Sequence, residues 1–259
     1  MYSNEKLFKF LPIMKTRYFF FISLFFLFGS CSRNLKVTHS SSEAIRIDST
    51  LNAIQDTSYI AHLVPIKEAT DSVMDQVLGV APEALVRRAP ESNLMNWSAD
   101  ALREIAVKET GMAIDAAVVN LGGLRCDIPQ GNVTMRSIFS LMPFDNELVV
   151  VTMEGKDILD LCNTFAHRGG EGISGIRMTI NGEKAEDVTI NGKPVVPEAV
   201  YYVATSDYLS TGTDEMVAFT RAIDKKLLNK KIRDLYIDYV REKGVMEAHV
   251  DGRTSVKTE

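Results

Sequence analysis

Two glycines and an arginine stand close together in VNLGGLRCDIPQG, residues 119–131. Gly122 and Gly123 let a backbone come close to a ligand or take a positive φ, and Arg125, two residues later, offers a forked set of donors suited to phosphate or carboxylate. The pattern is not GxGxxG, and it lacks the P-loop lysine, so both common nucleotide fingerprints are excluded. Taken alone, the stretch reads as a structural tight turn. No other catalytic engine is visible: the chain has no GxSxG elbow, no HExxH pair, and no spacing of carboxylates that singles out an acid and a base. Its cysteines show no CxxC spacing, so neither a disulfide framework nor a zinc site is expected, and Cys126 and Cys162 read as two separate buried thiols.

The elements that must position this turn follow from periodicity. IDAAVVNLGG is an apolar run feeding the glycines, as a buried strand does when it delivers a loop to a site. ESNLMNWSADALREIAVKETG has helical spacing through Leu94, Trp97, Ala101 and Ile105, and a short strand, ALVRRA, precedes it. IKEATDSVMDQVLGVAP predicts a helix through Ile66, Val73, Val77 and Leu78 that stops at Gly79 and Pro82. NELVVVTMEG predicts a strand and KDILDLCNTFAHR a helix burying Ile158, Leu161, Cys162 and Phe165. GIRMTING, EDVTINGKPV and AVYYVATSDYL read as short strands separated by Asn-Gly turns, and KKLLNKKIRDLYIDYVREKG as a closing helix. The predicted fold class is mixed α/β (α+β), a single domain with a mixed sheet covered by helices.

Length and composition bound the function. With 259 residues, 46% of them hydrophobic, the chain supports a well-buried core. A net charge of -5 gives no broad basic field, which argues against nucleic acid and leaves any phosphate to a few placed cations. At the N-terminus, Lys15 and Arg17 precede an apolar run at residues 18–29, too short to span a bilayer comfortably and proportioned like a signal-peptide core. It ends in FGSC, which resembles a bacterial lipobox with Cys31 as the lipidated residue, although Phe28 is unusual there; plain cleavage near Ser30 is the alternative. The expected organisation is a lipoprotein signal peptide (1–30), a polar tether (31–60), a folded domain (61–252) and a tail (253–259), lipid-anchored in the cell envelope outside the inner membrane, on its periplasmic face or at the cell surface.

Four stretches taken in order, ESNLMNWSADA, NLGGLR, MPFDNELVVVTMEGKDI and SDYLSTGTDEM, together resemble the C-terminal, substrate-binding domain of the 5'-nucleotidase family, over residues 60–250. The resemblance implies a nucleotide site. Arg88, three residues before Glu91, and Arg125 match phosphate-binding arginines; Asn120 matches a nucleoside contact at the head of the glycine turn. Phe144 and Tyr208 match the aromatic pair that sandwiches the base, and Asp214 the acid that takes the ribose hydroxyls. The set is chemically coherent: two cations for an anion, two ring faces for a flat base, one carboxylate for a diol. Residue by residue, plainer readings exist: Phe144 as core, Arg87 and Arg88 as solvated strand end, Asp214 as a turn cap. The chain also departs from the pattern. Leu121, Thr213 and Glu215 stand where the family commonly has glycine, which is expected to stiffen the Asp214 loop and narrow the ribose site, and Tyr208 adds a hydroxyl to a phenylalanine position.

In the family, hydrolysis belongs to a separate N-terminal metallophosphoesterase domain with two metal ions. Here His39, His62, His167 and His249 sit in no DxH, GNH or GHxH arrangement. The expectation is therefore a chain with no catalytic residues and no cofactor of its own. It would bind a nucleoside phosphate and present it to a separate metallophosphoesterase chain that carries the divalent metals. The alternatives are a stand-alone nucleotide- or nucleoside-binding lipoprotein and a degenerate lipoprotein that binds nothing.

Overall fold

The computed structural model describes residues 37–53 and 56–257; the predicted signal peptide and Cys31 lie outside the described residues. The chain divides into two units, Met1–Asp56 and Thr57–Glu259. In the first, the described side chains are exposed and one 3-10 turn, Ser49–Ala53, is capped by Asp48, whose Oδ1 accepts from the Thr50 amide at 3.0 Å.

The second unit runs α1 (Thr57–Met74), β1 (Val77–Ala81), α2 (Asn93–Thr110), β2 (Ala116–Val119), β3 (Gly131–Thr134), α3 (Met135–Leu141), β4 (Glu147–Glu154), α4 (Gly155–His167), β5 (Gly172–Ser174), β6 (Ile176–Asn181), β7 (Lys184–Ile190), β8 (Lys193–Pro194), β9 (Val200–Ser206), α5 (Asp207–Ser210), β10 (Asp224–Lys231), α6 (Ile232–Lys243) and β11 (Thr254–Val256). Among the described residues the strands form three sheets rather than one. The central sheet has the order β10-β4-β9-β2-β5, a second has β11-β6-β7-β8, and β1 pairs with β3. The mixed α/β class predicted from the sequence is the one observed.

The central sheet is apolar on both faces, which explains its unbroken runs of Val and Ala. Ala117, Val119, Leu148, Val150 and Ala204 point into a core with Leu94, Leu102 and Ile105 of α2 and Tyr236 and Val240 of α6. Their neighbours Ala116, Val118, Val149, Val151 and Val203 point the other way, into a core with Ile158, Leu161, Cys162 and Phe165 of α4 and with Ile176, Met178 and Ile180 of the second sheet. Because strand side chains alternate, one sheet serves two cores. Burial pushes the Cys162 thiol up to about 12, while Cys126 is only half-buried; both are free. Helix α2 starts where Ser92 accepts from the Met95 amide and stops at Gly111, which takes φ 69 and returns its amide to the Val107 carbonyl.

Two predicted helices are corrected. The first ends at Met74, and Val77–Ala81 is strand β1, paired with β3 and joined to Gly244 and Met246 by backbone hydrogen bonds. The closing helix is shorter than expected: Asp224–Lys231 is β10, an edge strand antiparallel to β4, and only Ile232–Lys243 is helical. The predicted ALVRRA strand reduces to a single bridge, Leu85 to Ile128.

One glycine holds a loop against the sheet end. Gly170 takes φ 117, and a Cβ there would sit 2.3 Å from the Pro90 carbonyl oxygen. A Gly170→Ala variant is expected to lose about 2–4 kcal/mol, since both backbone strain and a backbone clash oppose it. The comparison is Gly182→Ala, also at positive φ but with nothing within 4 Å of the new methyl group; it is expected to lose about 1 kcal/mol. Urea midpoints measure both.

Candidate functional site

Four chain segments leave the central sheet at one edge. β2 and β9 are parallel and β4 is antiparallel to β9, so the ends of β2 and β9 lie beside the start of β4. β5 is antiparallel to β2, with Gly172 opposite Val119, and brings its own start to the same place. The turn after β2, the loop before β4, the helix after β9 and the segment before β5 therefore converge, although 94 positions separate Asn120 from Asp214.

The Asp214 carboxylate is the meeting point. Its Oδ2 accepts from Asn120 Nδ2 at 2.6 Å and lies 3.7 Å from the Arg168 guanidinium. Its Oδ1 accepts from the Tyr208 hydroxyl at 3.0 Å. Asp214 and Glu215 have φ 53 and 65, left-handed values that favour glycine. Of the two residues expected to stiffen this loop, Glu215 takes a left-handed φ and Thr213 does not. Thr211 and Thr213 hold the loop by donating their hydroxyls to the Tyr208 carbonyl at 2.7 and 2.5 Å.

The glycine turn is a 3-10 turn, Leu121–Gly123, following Asn120. A Cβ on Gly123 would lie 2.6 Å from Asn120 Oδ1, so that glycine makes room for the Asn120 side chain. Gly122 is exposed, and its carbonyl accepts from Arg125 at 3.1 Å. The same guanidinium stands 5.7 Å from the centre of the Phe144 ring, a cation–π distance that joins the turn to the aromatic loop.

Phe144 and Tyr208 are 38% and 42% exposed, so neither is a core residue, and neither ring packs on another aromatic ring among the described residues. The loop before β4 is held rigidly. Asp145 pairs with Arg233 at 2.6 Å and Lys231 at 2.9 Å, and those cations keep its carboxyl below the usual carboxylate range. Asp207 Oδ1 accepts from the Glu147 amide at 3.0 Å and the Tyr208 amide at 2.8 Å, tying the two aromatic segments together. Beneath Asn120 and Phe144 lies a small, mainly apolar cavity, lined also by Val119, Met142, Leu209 and Ile232.

The two adjacent arginines divide their work. Arg87 donates to the Leu124 carbonyl at 2.7 Å and bolts its loop to the glycine turn. Arg88 is exposed and makes no hydrogen bond or ion pair with a described residue. Pro90, two residues on, is seated against Gly170.

Arg168 and Glu171 were missed by sequence reasoning; the only local signal is HRGGEG, an arginine and a glutamate around two glycines. Glu171 is a buried carboxylate, its side chain 1% exposed, which accepts from Arg168 Nε at 2.7 Å and from the Leu121 amide. Arg168 reaches on to Asp214 and to Glu215, 3.9 Å away, so one ion pair links three loops. His167 lies 3.8 Å from Glu215 and 3.5 Å from Glu183. No group of three or more His, Cys, Asp or Glu able to hold a metal occurs among the described residues.

The family model described as "5'-nucleotidase, C-terminal domain" matches residues 74–221, more than half of the chain. A 5'-nucleotidase from Vibrio vulnificus is 34% identical over 118 residues, 43% of this chain and 21% of the relative. A trifunctional nucleotide phosphoesterase from Bacillus subtilis is 28% identical over 183 residues, 64% of this chain and 12% of the relative. Among solved structures, a 5'-nucleotidase precursor from Thermus thermophilus superimposes with a TM-score of 0.70 at 26% identity, over 79% of this chain and 44% of that one. The chain thus spans well under half the length of these relatives.

Burial pushes the Glu171 carboxyl above its ordinary value of 4.5, and Asp214 adds to the rise, against the pull of Arg168 and the Leu121 amide. The folded state therefore binds this proton more tightly than the unfolded chain. The group favours folding in acid, and its contribution weakens as pH rises from the ordinary value through the folded one. Glu171→Gln removes that titration and one strong hydrogen bond, and is expected to destabilise by about 1–3 kcal/mol. The deficit should shrink as pH rises above 4.5 toward neutrality, measured as the difference in urea midpoints. A deficit that grows with pH would mean that the ion pair with Arg168 outweighs burial.

Proposed function

Since the chain belongs to the 5'-nucleotidase, C-terminal domain family, we propose that it binds a nucleoside phosphate at the β2–β4–β9 edge and presents it to a separately encoded metallophosphoesterase. In this reading Phe144 and Tyr208 clamp the base, and Asp214 takes the ribose hydroxyls with Asn120 beside them. Gly122 and Gly123 let the backbone approach, and Arg88 and Arg125 hold the phosphate. The observation that supports it is that one sheet edge carries an arginine beside an exposed ring, Phe144, and an oriented carboxylate beside a second exposed ring, Tyr208. Exposed Arg125 stands beside the Phe144 ring, while the Asp214 carboxylate, already oriented by three side chains, faces the Tyr208 side. A ligand that carries both a phosphate and a diol matches that pair of charges.

In this reading the divalent metals and the hydrolytic step belong to the partner, in keeping with the lack of any group of three or more His, Cys, Asp or Glu able to hold a metal among the described residues. What this chain contributes is proximity and orientation, which can account for much of a rate enhancement. Lipidation at Cys31 would hold it at the envelope membrane, outside the inner membrane, where a partner on the same face is within reach.

Calorimetry with adenosine 5'-monophosphate tests the site. Phe144→Ala is expected to weaken binding about tenfold or more, the worth of one stacked ring, and Arg125→Ala to weaken the nucleotide but spare adenosine. Phosphate release is then followed after mixing the wild-type chain with metallophosphoesterases that have no C-terminal domain. Stimulation by the wild type and not by the variants supports the split enzyme. Tight binding with no stimulation by any partner leaves a stand-alone binding protein, and no binding at all overturns the reading.

A further inference from the structure

We propose that the Tyr208 hydroxyl is a positioning group that presets Asp214 as a two-pronged acceptor for a vicinal diol, and thereby selects ribose over deoxyribose. This rests on the nucleotide-binding reading above.

A carboxylate has two oxygens and about four lone-pair directions. At Asp214 each oxygen has one side-chain donor: Tyr208 on Oδ1 at 3.0 Å and Asn120 on Oδ2 at 2.6 Å. Arg168 stands off at 3.7 Å from Oδ2 and supplies charge more than a hydrogen bond. By that count one lone pair is left on each oxygen, the number that two hydroxyl donors require. Asn120 is itself confined by the close approach of Gly123, so Oδ2 has a fixed partner. Among the described residues, Tyr208 is the one side-chain donor to Oδ1. Without that hydroxyl, rotation of the carboxylate about its Cβ–Cγ bond is restrained on one side only, and a single hydroxyl would be accepted about as well as a pair.

Tyr208 can act this way because it also holds the loop. Residues 211–215 pass through two left-handed, non-glycine positions, Asp214 and Glu215, and such a path persists only where neighbours enforce it. The Tyr208 carbonyl takes the hydroxyls of Thr211 and Thr213, and its own hydroxyl takes Asp214. The ring is set at the start of α5 by Ser206, which accepts from the Leu209 amide, and by Asp207, which accepts from the Tyr208 amide. The face needed for stacking and the hydroxyl needed for orientation therefore come from one side chain, mounted on a backbone held by these bonds.

The test is calorimetry of the full chain, comparing adenosine 5'-monophosphate with its 2'-deoxy counterpart for the wild type, Tyr208→Phe and Tyr208→Leu. Wild type is expected to prefer the ribonucleotide. Tyr208→Phe should keep its affinity for the deoxynucleotide and lose about tenfold for the ribonucleotide, the worth of one hydrogen bond to a charged group, so that the preference collapses. Tyr208→Leu, lacking the ring as well, should weaken both. A ribose preference unchanged in Tyr208→Phe overturns the proposal while leaving the site intact, as does tighter ribonucleotide binding, which would show the hydroxyl to be a competitor of the sugar. If wild type binds neither nucleotide, the site reading itself fails.

Discussion

Everything at the site depends on how β9 is paired. It is hydrogen-bonded to β4 on one side and β2 on the other, antiparallel and parallel respectively, with Leu148 opposite Ser206 and Ala117 opposite Ala204. Thr205, fully buried, adds a side-chain bond from its hydroxyl to the Val118 carbonyl at 3.0 Å. A slip of one residue would exchange the residues facing the two cores, so both cores enforce the register. That register carries Asn120, Phe144 and Tyr208 to one edge without any contact among their loops being needed to bring them there.

The loops at the edge are then fixed by side chains, each group serving two purposes. Glu171 caps the amide at the head of the glycine turn and balances Arg168, and Arg168 in turn faces the left-handed loop at Asp214 and Glu215. The buried carboxylate is costly by itself, because desolvation opposes its charge, and its pairing with one arginine does not fully offset that. Its structural return is a connection between loops that no strand supplies. This arrangement replaces the freedom of a glycine-flanked aspartate with a loop strained at the backbone and latched by threonine and tyrosine.

Sequence patterns revealed some of this and hid the rest for definite reasons. α2 and α4 were legible because each presents one apolar stripe to a core, and β2, β4 and β9 because double-sided burial gives short unbroken apolar runs. β1 was hidden because Val73 and Val77 keep helical spacing across Asp75 and Gln76, where the helix has already ended. β10 was hidden because an exposed, lysine-rich edge strand has little alternation of its own; pairing with β4 makes it a strand. Among the residues gathered at this edge, Asn120, Arg125, Phe144, Tyr208 and Asp214 lie in contiguous stretches that stand out in the sequence by themselves. Arg168 and Glu171 acquire meaning only through partners about 50 positions away, such as the Leu121 amide, and no local pattern encodes that.

Arg87 and Arg88 are adjacent in sequence and differently engaged. Arg87 donates to the Leu124 carbonyl and its amide to Asp127, so it is consumed in joining its loop to the glycine turn. Those bonds, with Pro90 held against Gly170 on the other side, tie the backbone on both flanks of Arg88, whose guanidinium has no hydrogen bond or ion pair among the described residues. A cation mounted on a fixed backbone but not neutralised by a carboxylate keeps its charge available to an incoming anion. The carboxylates of this edge, Asp214, Glu215 and Glu171, are gathered instead around Arg168. The sorting of charge at this edge is therefore made by which arginine each carboxylate pairs with, not by the net charge of the chain.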